Sequence, residues 1–144
     1  VNIDKITNCE DLLAGNAVFT VISGEERYTY HFYAPTHGKN KGKVLARLLT
    51  GPSNTHDYND LGIIDPTTGN IELSGMYAIR DGKVLVPAAL ARWIAKMAVS
   101  KSAVPSGIEI IGSGHCLCCR RLLTVPYPDN PFRLRSLGPI CGGK

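Results

Sequence analysis

Cys116 and Cys119 stand at C-x2-C spacing, and Cys141 follows after a gap of 21 residues, directly behind Gly138-Pro139-Ile140. Two thiolates two residues apart chelate one metal ion from a tight turn, and a distant third thiolate closes both the site and the loop between. The spacing therefore predicts a structural zinc site, with one Zn2+ per chain, holding a segment too small to build its own core. Gly138-Pro139 suits a turn that opens a helix. Cys141 would then lie near a helix N-terminus, where the dipole favours a thiolate.

A closed zinc site takes four ligands. Three cysteines plus one histidine is the leading assignment, and His115, adjacent to Cys116, is the histidine within the segment. Cys118, Asp129, His31, His37 and His56 compete for the fourth position. In the C-x2-C parse Cys118 faces away. Pairing it with Cys116 leaves one intervening residue and a poorer chelate. The fifth cysteine, Cys9, reads as a small buried hydrophobe.

Charge gathers around the thiols. The net charge is +4. Residues 1–100 carry ten basic and ten acidic side chains, so the excess comes from residues 101–144, with six basic and two acidic. Arg120, Arg121, Arg133 and Arg135 lie among the cysteines. A basic zinc module points to an anionic partner, nucleic acid above all, with solubility as the plain alternative. Clustered thiols without a visible secretory signal favour a reducing compartment over a disulfide framework. No apolar run reaches the roughly 20 residues of a membrane span.

No enzyme signature appears. His56-Asp57 are chain neighbours whose side chains point apart, so they make a weak catalytic pair. A metal-dependent nuclease needs a further His or acidic cluster, and the sequence offers no phosphate-cradling glycine motif or nucleophile elbow. The expectation is a non-enzymatic protein.

The elements that must position this tail read as follows. Ile6 to Leu13 is periodic enough for one or two helical turns. Residues 17–23 and 27–33 are rich in β-branched and aromatic residues around a Gly-containing gap, which predicts a hairpin. The aromatics of the second strand, Tyr28, Tyr30 and Phe32, share one face; half of a β core is favoured over a base-stacking platform. Lys39, Lys41 and Lys43 read as a solvated loop tip before phosphate contacts. Residues 44–49 suit a strand or a short helix. Further strands are expected near 58–65, 71–73, 77–79 and 84–86, the last two joined across Asp81-Gly82. Pro87 opens a helix over 88–99, with Leu90, Trp93, Ile94 and Met97 as its core stripe and Arg92 and Lys96 as its polar flank. Residues 100–107 read as a linker, and Ile108 to Ile111 as a last strand.

The fold class expected is α+β. A mostly antiparallel β body with one main helix, residues 1–104, is followed by a treble-clef-like or knuckle-like zinc module, residues 105–144.

The tail resembles a zinc-finger-like family of unknown function common in bacteriophage and bacterial proteins. Its pattern runs C-x-x-C-[GR]-R-x-L-T-x-P, then a variable stretch, then G-[IL]-G-P-x-C. Cys116, Cys119, Arg121, Leu122 or Leu123, Thr124, Pro126, Gly138, Pro139 and Cys141 carry the resemblance. Arg120 stands where the family usually has Gly, Phe132 lies near its usual Ser, and Ser136 replaces another Gly. The turn Leu49 to Asn54, with Tyr58 and Leu61-Gly62, is more loosely similar to what precedes such fingers. The resemblance implies zinc and phage-type origin, hence the cytoplasm of a bacterial host, and supplies no activity. A protein-interaction adaptor or inhibitor that binds a host protein is the alternative to a nucleic-acid partner.

Overall fold

The structure, a computed structural model, describes residues 5–53, 56–113 and 115–118. Six strands form one antiparallel sheet: β1 (Asn16–Ser23), β2 (Glu26–Tyr33), β3 (Val44–Leu49), β4 (Tyr58–Ile64), β5 (Ile71–Leu73) and β8 (Ile108–Gly112). The order is β5-β4-β3-β2-β1-β8. Five strands run as a meander, and β8 returns to pair with β1 on its free side. Between β5 and β8 the chain makes a small hairpin, β6 (Ile79–Arg80) with β7 (Lys83–Val84), and a helix α1 (Val86–Val99). A 3-10 helix, Cys9–Leu13, precedes the sheet. The architecture is α+β with one main helix, as the sequence predicts. Among the described residues no helix is long and apolar enough to cross a membrane.

Local chemistry explains the turns. β1 and β2 are joined by Gly24-Glu25, with Gly24 at φ 61°. The β6–β7 turn holds Asp81 at φ 53° and Gly82 at φ 76°. Two positive φ values in sequence define the primed turn that matches strand twist, and Asp-Gly is suited to it. The ladder between β3 and β4 slips at Ala46 and Arg47, so that Leu61 is an extra residue on β4. The bulge turns the Leu61 side chain into the core, where it is fully buried.

Strand alternation sorts the residues into faces. Ala17, Phe19 and Val21 of β1 meet Tyr30 and Phe32 of β2 and Val44, Ala46 and Leu48 of β3 on the buried face. Phe19 stacks on Tyr30 at 5.6 Å between centroids and meets Phe32 edge-on at 4.9 Å. The Tyr30–Phe32 face is therefore core and not a stacking platform. His31 and Tyr33 lie on the opposite face, where His31 contacts Tyr58 and donates its Nε2–H to Asn16 Oδ1 at 2.6 Å.

The helix corrects one expectation. It presents Ala88, Ala91, Ile94, Ala95 and Ala98 to the core, with Trp93 exposed and Leu90 and Met97 half-buried. Alanines let the helix axis approach the sheet and the 3-10 helix closely, and the bulkier residues are displaced to its flank. Tyr30 anchors the helix start by donating its hydroxyl proton to the Pro87 carbonyl at 2.7 Å.

Candidate metal centre

The thiol segment is delivered by β8 and fastened to the start of β1. Past Gly112 the chain reaches His115, and Cys116 and Leu117 are both fully buried in the same apolar cluster as Phe19 and Ile110. The Leu117 carbonyl accepts the backbone N–H of Asn16 at 2.8 Å. Gly15 lies directly beneath, at φ 147°, and a β-carbon there would stand 2.9 Å from the Cys118 carbonyl oxygen. Residues 108–113 and 115–118 are thus built into the body. The sheet continues through the boundary drawn at residue 105, and the linker segment 100–107 carries Ser102 and Val104, which exchange backbone hydrogen bonds with Cys9 and Thr7.

Within the turn, the Cys118 backbone N–H donates to Cys116 Sγ at 3.4 Å. An amide two residues on, aimed at the sulfur, is the arrangement a thiolate needs when removed from water: it supplies partial positive charge and fixes the sulfur's direction. Cys118 itself is half-exposed, and its own backbone is spent on this bond and on the close approach to Gly15.

His115 Nδ1 lies 3.1 Å from the Ser113 carbonyl oxygen and 3.5 Å from the Ser113 hydroxyl. A carbonyl only accepts, so Nδ1 carries the proton in that bond. The Nε2 lone pair is then the ring atom able to accept, and a backbone carbonyl holding the other ring nitrogen is a common way of fixing a metal-ligating imidazole. The donor set among the described residues fits zinc as far as it extends: one buried thiol with an amide on its sulfur and one imidazole with its tautomer set.

Cys119, Cys141, Asp129, Arg120, Arg121, Arg133 and Arg135 lie outside the described residues, as does the expected treble-clef-like module beyond Cys118. Among the described residues no three His, Cys, Asp or Glu side chains gather where they could hold a metal. His31, the histidine of the main sheet, is engaged with Asn16 and packed between Tyr33 and Tyr58.

The other titratable groups have structural work. Cys9, the first residue of the 3-10 helix, is buried, and burial pushes its thiol above the ordinary value, so it stays protonated. The Asp57 carboxylate accepts the Ser53 backbone N–H at 2.7 Å and holds the turn before β4, while the neighbouring His56 backbone N–H donates to the Ser53 hydroxyl. Lys39 and Lys41 are exposed at a loop, and Lys43 pairs with Asp65 at 3.6 Å.

Sequence reasoning missed Leu117 and Gly15. A large aliphatic residue inside a C-x2-C turn was the available signal, because such a residue has no reason to be there unless a core receives it. Comparison with protein-family models, with curated proteins and with solved structures gives no match.

Proposed function

We propose that this chain is a small, non-enzymatic, zinc-stabilised binding protein of phage type that contacts nucleic acid through a basic C-terminal module. The observation that carries the zinc half is the Cys116 sulfur, buried and accepting the Cys118 amide. In this reading Cys116, Cys119, Cys141 and His115 hold one Zn2+, whose contribution is to staple the segment to the body. A reducing compartment, the cytoplasm of a bacterial host, suits free thiolates of this kind.

The nucleic-acid half rests on charge. Arg120, Arg121, Arg133 and Arg135 are carried on the same short segment as the thiols. A metal clip that fixes the loops also fixes those guanidinium groups, which reduces the entropy lost when they meet phosphates. Contacts of this type neutralise phosphates and release counterions, so affinity falls steeply with salt.

Fluorescence anisotropy with labelled single- and double-stranded DNA and RNA tests the reading. Binding is expected at low salt, with each Arg→Ala change reducing the logarithmic salt slope by about one. No binding of any of the three at low salt overturns the nucleic-acid role and leaves the zinc assignment to be judged by metal analysis.

A further inference from the structure

Helix α1 is apolar on nearly every side: Arg92 and Lys96 are its only charged residues. One side is used by the core through Ala88, Ala91, Ile94, Ala95 and Ala98. Val86, Leu90, Trp93 and Met97 lie along the other, spaced four, three and four residues apart. That spacing is the heptad seam with which a second helix packs. Val86 is 63% exposed and Trp93 37% exposed, while Leu90 and Met97 form the half-buried floor. The hairpin that runs into the helix also exposes Ile79 and Val84, and Met76, 63% exposed, precedes it.

The helix's two charges are both basic, and the chain around it is mostly basic. Residues 76–101 contain Arg80, Lys83, Arg92, Lys96 and Lys101 against Asp81 alone. Arg92 and Lys96 follow the same flank of the helix, and among the described residues Lys96 reaches only neutral partners, the Thr68 carbonyl and the Asn70 side chain, with no carboxylate paired to it. A helix whose apolar residues extend beyond its core-facing side offers a face for a further partner, and the cationic rim decides which. A second copy would set like charges against each other. The chain's own residues 119–144 carry Arg120, Arg121, Arg133, Arg135 and Lys144 against Asp129, so they are repelled as well. Nucleic acid stacks on rings, and this seam has one ring among aliphatic side chains. Trp, Met and Arg are the residues enriched at protein interfaces.

We propose that the Val86–Leu90–Trp93–Met97 seam is a docking site for an acidic amphipathic helix of a partner protein. The partner's apolar stripe lies in the seam, anchored on Trp93, and its carboxylates face Arg92 and Lys96. This surface shares no residue with the thiol turn and does not depend on nucleic-acid binding.

Trp93 is the only tryptophan in the chain, so its fluorescence reports the seam directly. The probes are a synthetic amphipathic helix with Leu at heptad seam positions and Glu on its flanks, and the same peptide with Lys for Glu. The full chain is titrated with each. A saturable blue shift with the Glu peptide and none with the Lys peptide is expected. Val86→Asp, at an exposed position, should abolish the shift without altering the circular dichroism. Arg92→Glu with Lys96→Glu should weaken the Glu peptide by about tenfold or more, as expected for rim charges facing carboxylates, and admit the Lys peptide. Equal response to both peptides, or response to neither, overturns the proposal. So does a shift obtained only with anionic lipid vesicles, only with a single-stranded oligonucleotide, or only on raising protein concentration with a doubling of mass. These results would assign the seam to a membrane, to nucleic acid or to a second copy.

Discussion

Asn16 donates its backbone N–H to the Leu117 carbonyl across 2.8 Å, which ties the first residue of β1 to the centre of the thiol turn. The Leu117 side chain is fully buried in the main core. Truncation to Ala should therefore destabilise the whole body by about 2–5 kcal/mol, the range for a buried leucine. Gly15→Ala should act on the same joint from below, since its β-carbon would meet the Cys118 carbonyl at 2.9 Å with φ at 147°. A cost of about 1–3 kcal/mol is expected from the strain. Urea unfolding checks both. A Leu117→Ala midpoint equal to that of the parent chain would mean the turn is not part of the body's cooperative unit.

The Cys118 amide bonds Cys116 Sγ through the backbone, and the two ways of pairing these thiols differ in whether the Cys118 side chain is a ligand. Cys118→Ser should leave the zinc content at about one per chain, while Cys116→Ser should remove the metal, because a structural site loses its geometry with any one ligand. Elemental analysis of the purified variants measures this directly. Zinc loss in Cys118→Ser at unchanged stability would favour the C-x-C pairing instead.

The sheet was readable where residue type and turn chemistry agreed. The β1–β2 hairpin has β-branched and aromatic residues on both sides of Gly24, and the β6–β7 turn has Asp81-Gly82, so local preference and final structure coincide. The helix was readable as a helix, but its inward face was not. Leu90, Trp93 and Met97 make the more hydrophobic stripe, and the alanines win because they permit close approach to the sheet and the 3-10 helix, a tertiary constraint absent from periodicity. Residues 44–49 suited either state until β2 and β4 supplied partners on both edges. At the thiol turn, the spacing of Cys116 was legible. The seat for Leu117 and the Ser113 carbonyl on His115 were not, because both depend on where β8 delivers the chain.

Tyr30 joins the sheet to the helix through its hydroxyl bond to the Pro87 carbonyl. Tyr30→Phe keeps the ring packed and deletes the donor, so the carbonyl loses its partner and stability should fall by about 1–3 kcal/mol. Burial, with a smaller contribution from Tyr28, pushes the phenol well above its ordinary value. An unfolded tyrosine ionises near pH 10. Above that pH the unfolded chain sheds a proton that the folded chain retains, so stability is lost as pH rises. Urea midpoints between pH 8 and pH 11, approximate limits set by that ionisation, should fall for the parent chain and fall less for Tyr30→Phe.

Asp65 gives the opposite limb. Its Oδ1 accepts the Thr67 backbone N–H at 2.9 Å, and Lys43 lies 3.6 Å from its other oxygen. The Thr67 hydrogen bond is the main cause that holds the carboxyl below its ordinary value; desolvation opposes it, and Lys43 and the Thr68 backbone N–H add to it. A folded value below the unfolded one, near 3.9, gives stability that is fully present above about pH 4 and is lost as pH falls through the lower folded value. The group is exposed, so the effect is small and the lysine's share is screened by salt. Asp65→Asn should flatten the acid limb of a stability–pH curve. Lys43→Ala should do so less, because the Thr67 hydrogen bond remains. If added salt removed the acid limb as completely as Asp65→Asn, the lysine and not the backbone amide would be the dominant partner.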